Sequence, residues 1–179
     1  MRDNKEYNLE TLQDLYSLSL DTYNKERART DTLDTKISVC LSLLMALLTA
    51  SLSMIPFKAM IASLSSSTRP SFIVLTIGLA LLLSYIVLVV LACWNFISGY
   101  QTKGYLSIND KTFSNEDSFH KSHEDFLAFY IKDFGESIKQ NRSHNDDKAT
   151  HFDRGIKLMV SAAFVYLLAL LLLKIAVNI

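Results

Sequence analysis

Three long apolar stretches free of charge constrain this chain more than any other feature. No Asp, Glu, Lys or Arg occurs from Ile37 to Phe57, from Pro70 to Thr102, or from Leu158 to Leu173. The hydrocarbon core of a bilayer is about 30 Å thick, and a helix rising about 1.5 Å per residue needs roughly 20 apolar residues to cross it. The first two stretches exceed that length. The third holds 16 residues between Lys157 and Lys174, whose methylene stems can lie against apolar surroundings while their ammonium groups reach the headgroups. With Ile156 and Ile175 to Val177 added, it spans as well. A single stretch of this kind also suits a buried core helix, but a chain of 179 residues has too little other sequence to wrap three. The expectation is an all-α integral membrane protein with transmembrane helices at 37–56, 71–98 and 156–177 and a short external loop at 57–70. Because the first stretch begins after 36 more polar residues, it is expected to be retained and not cleaved as a signal peptide.

Charge assigns the two faces. Of the 18 Lys and Arg, six lie in residues 1–36 and nine in residues 99–157, against Lys58, Arg69 and Lys174 elsewhere. Basic loops stay in the cytoplasm, so the N-terminus is expected inside and the C-terminus outside, in the inner membrane of a cell. All 18 acidic residues fall on the same inner face, which makes it the expected site of sensing. Net charge is zero, so nothing global points to nucleic acid. Cys40 and Cys93 lie within apolar stretches and act as small hydrophobes.

Two cytoplasmic amphipathic helices are predicted beside the spans. In the N-terminal segment 1–36, Leu9, Leu12, Leu15, Tyr16, Leu18, Leu20 and Tyr23 mostly follow a spacing of three and four. With no Pro or Gly before Pro56, that helix is free to run on into the first span. In the region 99–155, Gly99 and Gly104 are expected to break the helix, and YLSIND reads as a loop or short extended piece. A helix over 115–141 follows, with Ser114 and Asp117 resembling a capping box. Its face of Phe119, Phe126, Leu127, Tyr130, Ile131, Phe134 and Ile138 must bury against something: the N-terminal Leu/Tyr helix or neighbouring copies. The polar stretch NRSHNDDK is expected to turn, with the last helix starting near Asn145.

Small and hydroxyl residues recur at every fourth position in two spans: Ser42, Ala46 and Ala50 in the first, and Thr76, Ala80 and Ser84 in the second. Such rows let helices approach closely. They either pack the chain's own helices or meet a second copy or a pore. No acidic, basic or His residue sits mid-span, which argues against an ion-coupled transporter. His120, His123 and Glu124 in HKSHE match neither zinc-protease pattern, and the chain carries no Gly-rich phosphate loop or nucleophile elbow. An enzyme, a metal site and a cofactor are therefore not expected.

At RARTDTLDTKIS the order of parts resembles the Pycsar transmembrane effector family of bacterial antiphage systems, and more loosely the SLATT domains. In that family a cytoplasmic helix leads through an Arg and an Ala-Asp-x-Lys-Ala motif into the first span. A second span, a cytoplasmic helix and a basic junction with a Lys before the final span follow. Asp34 and Lys36 match the Asp-x-Lys, Arg27 or Arg29 the preceding Arg, and Lys148 or Lys157 the late Lys, with Leu33 and Ile37 in the alanine positions. The resemblance implies a cytoplasmic part that answers a cyclic nucleotide or a protein partner, and membrane helices that oligomerise or rearrange to disrupt the inner membrane and halt the infected cell. Arg27, Arg29, Lys139, Arg142 and Arg154 are then candidates to hold a phosphate, and equally a cationic belt drawn to anionic lipid. The competing class is a membrane anchor that recruits a separate effector and forms no pore.

Overall fold

The computed structural model describes residues 8–55, 57, 58, 61, 69–101 and 122–178. Among them are three long helices and no strand: α1 (Leu9–Met54), α2 (Arg69–Gln101) and α3 (His123–Asn178). Each contains a segment long and apolar enough to cross a membrane. The chain itself buries 17% of the most apolar window in α1, 28% in α2 and 17% in α3. The remaining apolar surface therefore needs a solvent other than water, which a bilayer provides.

Helix ends follow local chemistry. The Asn8 side chain accepts a hydrogen bond from the Glu10 amide at 3.0 Å, satisfying one of the orphan donors of the first turn of α1. The chain leaves α1 at Ile55, the residue before Pro56, where the proline ring excludes the α region. Ser122 caps α3 by accepting from the Asp125 amide at 3.1 Å. The capping box expected at Ser114 and Asp117, the loop at YLSIND with Gly104, and Phe119 and His120 lie outside the described residues.

Two expectations are corrected. NRSHNDDK does not turn: it lies inside α3, which runs unbroken from His123 through 56 residues. From His123 on, the helix predicted at 115–141 and the last span are one element. The stretch contains no proline, and Asn141, Asn145 and Lys148 fall on the buried face, so the polar side chains are used for packing. Nor does Gly99 break α2, which continues to Gln101.

The chain divides into two compact units, residues 1–34 with 102–148, and residues 35–101 with 149–179. In the first, α1 and α3 lie side by side and parallel. Tyr23, Tyr130 and Phe134 form its apolar cluster, and the Phe134 ring stands edge-on to Tyr16 and Tyr23 at centroid distances of 5.7 and 5.4 Å. The aromatic face of α3 thus meets the Leu/Tyr stretch of α1. Of that stretch only Leu12 and Tyr23 are buried, whereas Leu9, Leu15, Leu18 and Leu20 are exposed.

In the second unit all three helices contribute to one core of Ile37, Leu44, Tyr85, Val89, Ala92, Phe96, Ala162 and Tyr166. Buried positions recur every seven residues: 37, 44 and 51 in α1; 78, 85, 92 and 99 in α2; 155, 162, 169 and 176 in α3. A strict seven-residue repeat is the signature of left-handed, knobs-into-holes helix packing. In α3 these positions are Gly155, Ala162, Ala169 and Ala176, small enough to bring α2 close. The rows Ser42, Ala46, Ala50 and Thr76, Ala80, Ser84 instead point outward, with Ala50 bordering a space between helices. They do not pack the chain's own core. Hydropathy does not distinguish the two sets, because both are small and similarly apolar.

A Cβ at Gly155 would lie 2.6 Å from the ring of Phe96, which is fully buried. Gly135 has nothing within 4 Å of the same point. Alanine is about 1 kcal/mol better than glycine inside a helix, so Gly135→Ala should stabilise the protein by about that amount. Gly155→Ala should destabilise it by about 1–3 kcal/mol through overpacking. Unfolding of both variants in detergent micelles, followed by helical circular dichroism, checks the opposite signs.

Candidate functional site: a buried polar seam between α1 and α3

Within the first unit the contact between α1 and α3 changes character along its length. It begins with the aromatic cluster and continues into residues that a helical core normally excludes: Glu26, Thr30, Asn141, Asn145 and Lys148 are all buried. Helical spacing puts them there. Tyr16, Tyr23 and Thr30 recur every seven residues, as do Leu127, Phe134, Asn141 and Lys148. The polar residues occupy the positions that the aromatic residues hold one or two repeats earlier.

Asn145 is the centre of the seam. Its amide nitrogen donates to both the backbone carbonyl and the carboxylate of Glu26, each at 3.0 Å. Its amide oxygen accepts from the Thr30 hydroxyl at 2.8 Å. Every polar atom of a fully buried side chain is thereby matched, which removes the penalty of burying an unpaired amide. Arg142 adds a contact to the Glu26 carboxylate at 3.2 Å, and Arg29 bridges Asp146 at 2.7 Å and Glu26 at 3.6 Å. Further along, the Lys148 ammonium, whose side chain is only 3% exposed, meets Asp34 at 2.7 Å.

Charge in the seam balances. Glu26, Asp34 and Asp146 face Arg29, Arg142 and Lys148. Burial pushes the Glu26 carboxyl up, but the hydrogen bonds from Asn145 and Arg142 and the charges of Arg29 and Arg142 outweigh it and hold it below its ordinary value. The Asp146 carboxylate accepting from Arg29 raises the guanidinium's already high value. Both shifts favour the charged forms of Glu26 and Arg29.

The residues expected to bind a ligand separate into two groups. Arg29, Asp34 and Arg142 enter the seam, where both arginines are engaged with carboxylates. Arg27 and Lys139 are exposed in the first unit, and Lys36 and Arg154 are exposed in the second. Phe126, Tyr130 and Phe134, expected at a helix contact, pack in the aromatic cluster. His123 and Glu124 are exposed in the first turn of α3. Glu26, Thr30, Asn141 and Asn145 were not singled out from the sequence. The signal was present in the seven-residue recurrence and was masked because a polar residue at a core position reads as a break in the apolar pattern. In comparisons with known proteins, no family model, curated protein or solved structure matches the chain.

Breaking the seam has a cost that can be measured. Asp34→Ala strands the buried Lys148 ammonium and should cost about 3 kcal/mol, the low end for a broken buried pair because Asp34 is one third exposed. Adding Lys148→Met to that variant should recover most of the loss, which a double-mutant cycle of denaturant unfolding measures. For Glu26, the folded value lies below the ordinary 4.5, so its ionisation stabilises the folded unit fully above that pH and the contribution disappears as pH falls through the lowered folded value. Acid titration of the full chain should therefore show stability falling below pH 4.5, and Glu26→Gln should flatten that part of the profile.

Proposed function

We propose that this chain is a membrane effector: the α1/α3 seam receives a cytoplasmic signal, and the three spans respond by rearranging or oligomerising so that the inner membrane is disrupted. The N-terminus and the seam lie in the cytoplasm and the C-terminus outside, in keeping with the 15 basic residues on one side and three on the other. The observation that carries the reading is the buried ionic seam. Replacing a buried ion pair by apolar residues of similar size is commonly neutral or stabilising, and buried polar groups in coiled coils are best understood as setting register or as switches. A pair of helices meant only to hold together has no need of Lys148 and Asp34 at its interface.

α1 and α3 also each continue without interruption from seam residues to an apolar segment, so a turn or slide of the seam is carried by the helix itself. A ligand phosphate or an acidic partner surface acts by competing with Glu26 and Asp146 for Arg142 and Arg29. It shifts the equilibrium only by as much as it binds the released seam more tightly than the locked one. The order of parts, with Asp34 and Lys36 before the first span, resembles the Pycsar transmembrane effectors and supports a role in antiphage defence.

Lys148→Glu sets two carboxylates against each other in the seam and mimics release. Induced expression in bacteria should then collapse the membrane potential read by a voltage-sensitive dye and stop growth. Combining it with Asp34→Lys restores an opposite-charge pair and should restore the potential. An intact potential in the single variant, with a cytoplasmic protein co-purifying stably, replaces this reading with that of a membrane anchor.

A further inference from the structure

In the second unit, α1, α2 and α3 leave a groove of about 300 Å³ between them. We infer that it is a binding site for one acyl chain of a membrane lipid. This rests on the three apolar segments crossing a bilayer and is independent of the signalling role.

Two observations select the occupant. First, the groove is continuous with the outward apolar surface: Leu47, Met54 and Leu167 border it and are also 52%, 64% and 63% exposed. Lipid chains covering that surface lie directly at the mouth. An apolar space of this size left empty forfeits the dispersion contacts of every side chain around it, and water does not enter a space with no free polar partners.

Second, the polar part of the wall is closed to headgroups. Ser51 donates its hydroxyl hydrogen to the Leu48 carbonyl at 2.8 Å. Tyr85 then donates to the Ser51 oxygen at 2.8 Å, and Tyr166 donates to the Ser51 carbonyl at 2.8 Å. All three hydroxyl hydrogens are committed. The wall offers no donor to a phosphate or carboxylate, so it accepts a hydrocarbon chain and excludes an anion.

The test uses the full chain in phosphatidylcholine vesicles containing a phosphatidylcholine with a diazirine in one acyl chain. After irradiation, labelled residues are mapped by mass spectrometry. Tyr85 and Val89, both buried on the floor of the groove, should be labelled along with the outward-facing Phe164. Ala163→Phe, which fills the groove from its rim, should cut floor labelling at least about fivefold and leave Phe164 unchanged. Ala50→Leu, filling from the α1 side, should do the same and covers the case in which the first variant fails to fold. Labelling confined to Phe164 and other outward positions overturns the inference. So does a disulfide linking two copies of an Ala163→Cys variant at the expense of floor labelling, since a second copy then occupies the groove.

Discussion

An ammonium group taken out of water must be answered by an opposite charge, and Lys148, 3% exposed, is answered by Asp34 at 2.7 Å. Around this pair the rest of the first unit is arranged. Asn145 can close its hydrogen bonds only where Glu26 and Thr30 present a carbonyl, a carboxylate and a hydroxyl together. A slip of α1 along α3 by one residue would undo all of these at once, and that is the sense in which polar contacts define register while apolar ones tolerate sliding. The aromatic cluster supplies contact area, and the seam supplies its alignment.

The same seven-residue geometry is used with different chemistry in the two units. In the first, core positions carry Thr30, Asn141 and Lys148, for which water is the alternative partner. In the second they carry Gly155, Ala162, Ala169 and Ala176, where the alternative is hydrocarbon and no hydrophobic drive brings helices together. There the gain comes from close approach: Gly78 lies beneath Leu173, and Gly155 lies beneath the Phe96 ring with no room for a Cβ. Each unit thus relies on the interaction that its solvent leaves strongest.

The spans were legible in the sequence because a helix that crosses hydrocarbon needs about 20 residues without charge, a pattern that water-soluble helices seldom sustain. The aromatic pairing of α1 with α3 was legible from helical spacing. The seam was not, for a physical reason. NRSHNDDK has the composition of a solvated turn, and only the partner helix reveals that Asn141, Asn145 and Lys148 are matched and not exposed. Local propensity was overridden by tertiary hydrogen bonds that sequence hydropathy does not encode. The small-residue rows failed differently: in α1 the buried repeat is Ile37, Leu44 and Ser51, and in α2 packing chose Gly78, Ala92 and Gly99 over the row of Thr76, Ala80 and Ser84.

That choice left Ser42, Thr76 and Ser84 facing outward, each donating to a carbonyl of its own helix one turn back: Ser38, Phe72 and Ala80. Within hydrocarbon such a hydroxyl is silent while its hydrogen stays turned onto the carbonyl of its own helix. Rotating about a single side-chain bond exchanges the internal partner for an external one, hydrogen bond for hydrogen bond, with little change in energy. The outer faces of these spans are therefore apolar only conditionally: the surface that accepts lipid also carries a hidden set of donors that water or another helix can call out without breaking the fold.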